Sequence, residues 1–313
     1  MFPENYWYAI ADARELRRGK VLGARRLGVD LALWRDDTGA VHATADRCPH
    51  RGASLSLGRV RGGCIECPFH GFRFDGAGAC VEAPCNGAEV PRHLDVQAYV
   101  VREAHGFLWL WWGEARESYP PIGWFPELDG PYVYAGMVAQ EWPTNWMRSV
   151  ENQLDWPHLP FVHRTTIGIG AKKAMQVGSV VEGDRLDTWL RDHERPDGTP
   201  GYKISLIFPN IWINPFAGTR QIGMIAFAPI DEGHTRMYIR TYTRRLPVPG
   251  LAALWSRATN VLNRMILRQD TRVVLSQPQA PTTDERGERL VQADLPIAQF
   301  RKQVRRRLPV VPA

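Results

Sequence analysis

Two short motifs, each with one cysteine and one histidine, are the residues of this sequence best suited to hold a metal. One residue separates Cys48 from His50, and two residues separate Cys67 from His70. Two thiolates and two imidazoles suit tetrahedral zinc, but zinc fingers place both cysteines in one element and both histidines in another. Because each motif here supplies one ligand of each kind, the spacing favours a two-iron cluster with thiolates on one iron and imidazoles on the other.

A second group of metal-ligand side chains lies downstream of these motifs. A helix is predicted over 146–156, and prolines just beyond it would end it. Asn152 and Asp155 are three residues apart, as are Asp155 and His158, so these side chains can lie along one helix face. His163 follows His158 by five residues, so the broken turn must bring the two together. Two histidines and a carboxylate from elsewhere would form the facial triad of a non-heme Fe(II) oxygenase, which leaves positions open for dioxygen.

Together these motifs resemble those of the catalytic subunit of Rieske non-heme iron oxygenases, and the resemblance extends over nearly the whole chain. It is carried by the C-x-H…C-x-x-H pattern, with a glycine just after each ligand pair, and by the N-x-x-D-x-x-H-x4-H string. The chain is most similar to the compact monooxygenase branch that includes vanillate and dicamba O-demethylases. The resemblance implies that a Rieske [2Fe–2S] cluster is held by Cys48, His50, Cys67 and His70.

The resemblance also implies roles around a mononuclear Fe(II). Its histidine ligands correspond to His158 and His163. The family's bridging aspartate corresponds to Asp155, and the neighbouring asparagine corresponds to Asn152. Asp155 is therefore expected to hydrogen-bond His158 on one side and His70 of the partner subunit on the other.

The third iron ligand is predicted further along the chain, at Asp270. The family's carboxylate lies on a C-terminal helix and is followed by an apolar stretch and a glutamine, a pattern that residues 268–277 fit. An amphipathic run over 251–267 predicts the helix. The alternative for Asp270 is an ordinary surface ion pair with a flanking arginine. The poorer substitutes as iron ligand are Asp231, Asp284 and Glu285.

The pattern along the chain predicts an α+β protein with two domains. Short strands broken by glycine and polar turns, such as 29–34 and 41–45, predict a small all-β domain over 1–118, which the resemblance makes the Rieske domain. A proline-rich linker opens the second domain, 119–313, where antiparallel strands between 202 and 243 would form a sheet flanked by helices. The resemblance implies that this catalytic domain has a helix-grip, START-like fold.

The substrate is expected between that sheet and the helices, as in the family. Alternate residues of a strand face opposite sides, so about half of the candidate pocket residues should belong to the core. These candidates are Tyr202, Ile204, Leu206, Phe208, Trp212, Asn214 and Ile225. Their mostly apolar character predicts an aromatic or otherwise largely apolar small molecule.

Charge and hydropathy limit the expected partners and compartment. The net charge of +6 would permit nucleic-acid binding, but the basic residues are spread along the chain apart from a cluster over 301–307, interpreted as a solvated tail. The positive charge is instead expected to steer an acidic electron-donating protein or an anionic substrate. No apolar run reaches about 18 residues and no signal-peptide pattern is present, so we expect no membrane span and a cytoplasmic protein.

The cysteines outside the two motifs are expected to be free thiols, because a cytosolic chain with an odd remainder does not favour disulfides. They are Cys64, Cys80 and Cys85. The C-x-x-C spacing of Cys64 and Cys67 allows a zinc or redox site as a weaker alternative.

The resemblance implies a terminal oxygenase that acts on a small molecule with O2. Because the chain has no Rossmann-type glycine fingerprint, electrons from NAD(P)H are expected to arrive through a separate flavin and iron–sulfur reductase or a ferredoxin. The family's ring arrangement implies a homotrimer or a hexamer. The expected reaction is monooxygenation, either hydroxylation or O- or N-demethylation. The alternatives are aromatic-ring cis-dihydroxylation, which the spacing of Asn152 and Asp155 disfavours, and a Rieske electron carrier without oxygenase chemistry.

Overall fold

The computed structural model describes residues 1–87, 89–90, 93–216, 220–244, 251–278 and 287–308, and for residues 251–257 the backbone alone. The chain divides into two compact units, one formed by Asn5–Glu114 and the other by Ala115–Ala313 together with Met1–Glu4. Two of the substitute ligands, Asp284 and Glu285, lie outside the described residues. Within the described ranges, no helix is long and apolar enough to cross a membrane.

The unit Asn5–Glu114 is built of short antiparallel strands. They are β1 (Tyr6–Asp12), β2 (Val21–Arg26), β3 (Val29–Arg35), β4 (Val41–Ala45), β5 (Arg59–Arg61), β6 (Cys64–Glu66), β7 (Arg73–Phe74), β8 (Cys80–Glu82), β9 (Ala98–Tyr99), β10 (Val101–Ala104) and β11 (Phe107–Trp112). They form three sheets with the orders β1-β11-β10, β2-β3-β4-β9 and β5-β6-β7-β8. The all-β character expected of this part of the chain is therefore confirmed.

Strand β11 is the centre of the first sheet, paired with β1 and β10. Five of the six residues of β11 are buried, so burial does not alternate along this strand. Trp111 packs edge-to-face against Trp7 with ring centroids 5.5 Å apart, which gives this strand a large aromatic contact.

The cysteines of the two ligand motifs lie in the apolar core of this unit. Cys48 follows the end of β4, and Cys67 lies in the turn between β6 and β7. Both belong to one buried cluster with Leu55, Phe72 and other apolar side chains. A close-packed core of this kind fixes the positions of both ligand loops.

The second unit contains a single sheet of antiparallel strands among the residues described. The strands are β12 (Tyr132–Trp142), β13 (Val177–Glu182), β14 (Arg185–Leu190), β15 (Ile204–Ile207), β16 (Ile211–Asn214), β17 (Gln221–Pro229) and β18 (Thr235–Arg244). Their order is β12-β18-β17-β16-β15-β14-β13. The predicted α+β class with an antiparallel sheet and helices is confirmed, and four of these strands coincide with the predicted ones to within a few residues.

The helices of this unit are α1 (Trp146–Leu154), α2 (Leu159–Val162), α3 (Leu251–Val274) and α4 (Leu295–Arg307). Helix α1 begins after Asn145, whose side chain accepts a hydrogen bond from the Met147 N–H at 2.9 Å. It ends at Leu154, two residues before the predicted end, because Asp155 has extended backbone angles ahead of Pro157. Helix α4 was not predicted, since its residues were interpreted as part of a solvated tail.

That interpretation of the 301–307 cluster is wrong for Arg301, which is 1% exposed. Its guanidinium donates to both carboxylate oxygens of Glu151 at 2.8 and 2.9 Å and to Glu288 at 2.6 Å. Arg148 also reaches Glu151, at 3.3 Å, and Glu288, at 2.6 Å. A buried arginine requires such partners, and these tie α4 to α1, the helix that ends just before Asp155.

Replacing Arg301 with methionine is expected to destabilise the protein by about 3–5 kcal/mol, because it leaves the buried Glu151 carboxylate with only part of its compensating charge. The measurement is the free energy of unfolding in urea. The control is Arg306→Met on the same helix, where the side chain is exposed and a change below about 0.5 kcal/mol is expected. Equal stability of the two variants would contradict a structural role for the ion cluster.

Candidate metal centres and the adjoining cavity

The two cysteine–histidine loops share one backbone conformation. In each loop the cysteine N–H donates to the carbonyl five residues on, and the glycine four residues on donates to the cysteine carbonyl. These bonds join Cys48 to Ala53 at 2.8 Å, Gly52 to Cys48 at 2.8 Å, Cys67 to Phe72 at 2.7 Å, and Gly71 to Cys67 at 3.1 Å. Gly52 and Gly71 have φ values of +77° and +72°, a region that favours glycine and lets each loop turn back on itself.

The four predicted cluster ligands are brought together by these loops. Cys48 and Cys67 are each 2% exposed, whereas His50 is exposed and His70 is half-buried. The two imidazole rings have centroids 4.8 Å apart. Burial, and to a lesser extent the neighbouring Cys67, raises the pKa of the Cys48 thiol to about 11. A metal would supply the positive charge that a buried pair of thiolates needs, so the residues fit a cluster with its sulfur ligands inside and its imidazoles outside.

The predicted mononuclear ligands also converge, although they come from distant parts of the second unit. His158 precedes α2, His163 follows it, and Asp270 lies near the end of α3. The ligand atoms of the three residues all lie within 4.8 Å of one another. Asp270 Oδ1 lies 2.9 Å from Nε2 of His163 and 3.7 Å from Nε2 of His158. The Asp270 carboxylate is 2% exposed, so the alternative of a surface ion pair with a flanking arginine does not describe it.

The hydrogen bonds around this cluster leave its inward-facing atoms available to a cation. Asp270 Oδ1 is buried and has no hydrogen-bond partner among the described residues, even though both Nε2 atoms face it. The other ring nitrogens are occupied, since His158 Nδ1 bonds to the Asp155 carbonyl at 2.6 Å and His163 Nδ1 bonds to Gln269 Oε1 at 2.9 Å. When Nδ1 donates to an acceptor, Nε2 keeps its lone pair for a metal. Two nitrogens and one carboxylate oxygen match the donor set of a facial triad.

Burial and local charge set the protonation of the two histidines. Burial lowers the pKa of His158, and His163 acts in the same direction, so the neutral ligand form of His158 is favoured. Burial also lowers the pKa of His163, but Asp270 and Gln269 outweigh it and raise that pKa. A bound metal cation would occupy the position between His163 Nε2 and Asp270 that the proton of a charged His163 would otherwise take.

The structure corrects the predicted contact between Asp155 and His158. The imidazole bonds to the backbone carbonyl of Asp155, whereas the carboxylate oxygen lies 3.9 Å from Nδ1, too far for a hydrogen bond. The cause is the early end of α1, which turns the Asp155 carbonyl towards the ring. Burial, together with the negative charges of Asp294 and Asp270, raises the pKa of Asp155 to about 6. Asp155 Oδ1 and Asn152 Nδ2 are both buried without a hydrogen-bond partner in the described part of the chain.

A cavity of about 670 Å³ opens beside the His158, His163 and Asp270 cluster, and the three residues form part of its wall. Most of the remaining wall is apolar, with aromatic rings from Trp156, Trp212 and Phe216. The candidate pocket residues that line it are Tyr202, Ile204, Trp212 and Asn214.

The other three candidates do not line this cavity, which corrects the prediction for Leu206, Phe208 and Ile225. Leu206 and Ile225 pair with Trp212 on either side in the sheet, and the longer indole forms the wall in their place. Phe208 lies beyond the end of β15, where the Arg307 guanidinium covers its ring at 4.9 Å. Alternation along a strand gives the face of each residue, but it does not give its depth beneath a larger neighbour.

Sequence reasoning missed two contributors to this site. The first is the segment after His163, which supplies Ile167, Ile169, Ala171 and Met175 to the cavity wall. Its irregular backbone has no apolar period that would mark it. The second is Gln269, whose signal was its position beside Asp270.

The chain is similar in sequence to one domain family and to several named proteins. The Rieske [2Fe–2S] domain family matches residues 6–100. The chain is 39% identical over 166 residues to cholesterol 7-desaturase nvd of Bombyx mori, covering 52% of this chain and 36% of that protein. It is 33% identical over 203 residues to the oxygenase component of dicamba O-demethylase of Stenotrophomonas maltophilia, covering 64% and 58%. It is 32% identical over 233 residues to the vanillate O-demethylase oxygenase subunit of Pseudomonas sp. (strain HR199 / DSM 7063), covering 74% and 61%.

These matches span between about a third and three fifths of the relatives' own lengths. A solved structure of dicamba monooxygenase bound to dicamba shares the fold over 97% of this chain and 96% of that chain, with a TM-score of 0.78 and 23% sequence identity. The dicamba oxygenase is thus similar to this chain both in fold and in sequence. The chain therefore contains a Rieske [2Fe–2S] domain and is homologous to the oxygenase components of the dicamba and vanillate O-demethylase type.

Proposed function

We propose that this chain is the terminal oxygenase of a Rieske system and that it monooxygenates a largely apolar, aromatic or heterocyclic small molecule. The observation that carries the proposal is the convergence of His158, His163 and Asp270 on one buried point in the wall of a mostly apolar cavity. An electron carrier needs neither a second ligand set nor a cavity beside it. The names of the dicamba and vanillate relatives favour O-demethylation as the form of monooxygenation.

Seven side chains would hold the two metal groups. Cys48, His50, Cys67 and His70 would ligate the [2Fe–2S] cluster, and His158, His163 and Asp270 would ligate mononuclear Fe(II). When bound, these groups supply one-electron transfer and an iron with positions open to dioxygen. His158, His163 and Asp270 also line the cavity, so a substrate bound there would lie beside the proposed iron site.

The chain's own residues would bind and orient the substrate. Trp156, Trp212 and Phe216 offer flat apolar faces that suit an aromatic ring and displace water from it. Asn214 supplies one of the polar groups of the wall, and the Tyr202 hydroxyl fixes its orientation by donating to Asn214 Oδ1. A mostly apolar wall with few oriented polar groups is the usual composition of a small-molecule site.

Electron supply requires a second protein in this proposal. A reductase with flavin and an iron–sulfur cluster, or a ferredoxin, would reduce the cluster with electrons from NAD(P)H. His50 is exposed and His70 is half-buried, so the imidazole side of the cluster site is accessible to such a donor. We further propose a homotrimer, in which the Asp155 carboxylate accepts a hydrogen bond from His70 of the partner subunit. The Asp155 side chain is 29% exposed and its carboxylate lies 3.9 Å from His158 Nδ1, too far for a hydrogen bond, which supports that role.

The test is anaerobic purification followed by iron analysis and a turnover assay. We expect about three irons per chain and a rhombic EPR signal after dithionite reduction, whereas a simple Rieske carrier would hold about two. With a generic reductase and NADH, a panel of O- and N-methylated aromatics should include one that releases formaldehyde. A content of two irons, or zinc bound by the residues of the first two motifs, would contradict the proposal.

A further inference from the structure

The Gln269 side chain forms three hydrogen bonds beside the proposed iron site. Its Oε1 accepts from His163 Nδ1 at 2.9 Å and from the Thr166 hydroxyl at 2.8 Å. Its Nε2 donates to the Thr165 hydroxyl at 3.2 Å. One carboxamide on α3 therefore holds the proposed iron ligand His163 together with Thr165 and Thr166 in the segment that follows it.

That segment is also folded closely against the His163 backbone. The His163 carbonyl accepts from the N–H groups of Thr166, at 2.9 Å, and Gly168, at 3.0 Å. A Cβ atom on Gly168 would lie 2.0 Å from the Leu159 carbonyl oxygen, so only glycine permits this approach. The path of the chain from 163 to 168 is thus fixed by the same few contacts that fix the imidazole.

From Ile167 onward the segment forms part of the cavity wall. The side chains that it contributes are Ile167, Ile169, Ala171, Ala174 and Met175. Ile167 and Ile169 are 46% and 73% exposed, so little packing on their outer side holds them in place. This wall is attached at its start through residues 165–168 and further along by the ion pair of Lys172 with Asp192, at 2.7 Å.

We propose that Gln269 is a positioning residue that couples the mononuclear metal to the cavity wall formed by residues 167–175. The inference rests on the proposed iron site. The carboxamide oxygen fixes the His163 ring so that Nε2 faces Asp270, and outer partners of this kind typically change metal affinity by about 10–100-fold. The carboxamide nitrogen holds Thr165, so an ordered imidazole and an ordered wall require the same side-chain position. Coupling between two sites is reciprocal, so metal binding must order the wall as much as the wall supports metal binding.

The test uses the full-length chain with its cluster intact and Co(II) as the probe, because elemental analysis distinguishes cobalt from cluster iron. Affinity is measured by competition with a chelator, and ordering of residues 164–176 by hydrogen exchange with and without Co(II). For the wild type we expect Co(II) binding and slower exchange of this segment when the metal is present. For Gln269→Leu we expect affinity about 10–100-fold weaker and no metal-dependent protection.

Two further variants separate positioning from general stability. Gln269→Glu keeps an acceptor for His163 and Thr166, so its Co(II) affinity should stay within about threefold of the wild type, whereas a structural defect would not be rescued in this way. Thr165→Val removes only the contact to the carboxamide nitrogen, so its Co(II) affinity should fall by no more than about threefold, the small loss that reciprocal coupling requires, while the metal-dependent protection of the segment is lost. An unchanged far-UV circular dichroism spectrum of each variant shows that the chain, including the unit that holds Gln269, is folded.

The outcomes distinguish this inference from the proposed function. If the wild type does not bind Co(II), both the proposed iron site and the coupling are overturned. If the wild type binds Co(II) and Gln269→Leu retains the same affinity and the same protection, the iron site stands and the coupling is overturned. A fall in Co(II) affinity in Thr165→Val as large as that in Gln269→Leu would also overturn it, because the carboxamide oxygen would then not hold His163 independently of Thr165.

Discussion

Protein with Asp270 replaced by alanine is expected to keep about two irons per chain and to lose the third, together with all turnover. The Asp270 carboxylate is the only anionic member of the His158, His163 and Asp270 cluster, and its Oδ1 is the atom that both Nε2 atoms face. Without it, two neutral imidazoles remain, which bind Fe(II) weakly. Asp270→Asn should behave in the same way, since it keeps the shape of the side chain and removes its charge.

The measurement is iron content with the EPR signal of the reduced cluster, which should not change because the cluster ligands belong to the other unit. The matched control is Asp231→Ala, the remaining described carboxylate among the weaker candidates. Asp231 accepts hydrogen bonds from the Gly233 N–H and pairs with His234, at 2.9 Å each, and is not part of the metal-ligand cluster. Asp231→Ala should retain three irons. Full iron content and activity in Asp270→Ala would reject Asp270 as a ligand.

The second large effect is expected for Asp155→Asn, which should retain both metal groups while turnover falls by about a hundredfold or more. Metal binding should survive because His158 is oriented by the Asp155 backbone carbonyl, at 2.6 Å, and the substitution leaves that carbonyl in place. What changes is the carboxylate, whose pKa of about 6 leaves it mostly ionised at neutral pH. In the proposed trimer this anion accepts the hydrogen bond from His70 of the partner subunit, and asparagine replaces it with a neutral group.

Two rates locate the defect in Asp155→Asn. Steady-state oxygen consumption with reductase and substrate should fall, and so should the rate of cluster oxidation in a single turnover that starts from prereduced protein. Asp197→Asn serves as the control, because Asp197 is exposed, accepts hydrogen bonds from the Thr199 N–H and hydroxyl at 2.9 and 2.6 Å, and does not line the cavity. Its rates should remain close to those of the wild type. Near-normal turnover in Asp155→Asn, or loss of its mononuclear iron, would contradict the proposed role.

Local spacing in the sequence predicted which candidate ligands lie together because ligand loops are short and self-contained. The Cys48 and Cys67 loops each close on themselves through bonds within six residues, so their form follows from local sequence. Asp270 was found by its place on a predicted helix, although the contact that matters joins it to histidines more than 100 residues away. The ligand atoms lie together, as the pattern indicated, and their roles remain predictions.

The sequence did not predict features that depend on how deeply a side chain is buried or on contacts with residues far away in the chain. The contact between Asp155 and His158 was assigned to the wrong oxygen because helix ends are uncertain by one or two residues. Arg301 was interpreted as solvated because its partner, Glu151, is 150 residues away. The helical spacing of Ile297, Phe300 and Val304 was nonetheless present in the sequence, and these buried residues mark the face that α4 packs inward.

The long sequence separation between Arg301 and Glu151 also has a consequence for the biosynthesis of the protein. The unit Asn5–Glu114 contains all four proposed cluster ligands, so it is able to fold while the ribosome is still translating the rest. The Glu151 carboxylate of α1 gains its two hydrogen bonds from Arg301 only after residue 301 has been translated. Cofactor insertion should therefore follow a fixed order, with the iron–sulfur group acquired early and the single iron acquired last.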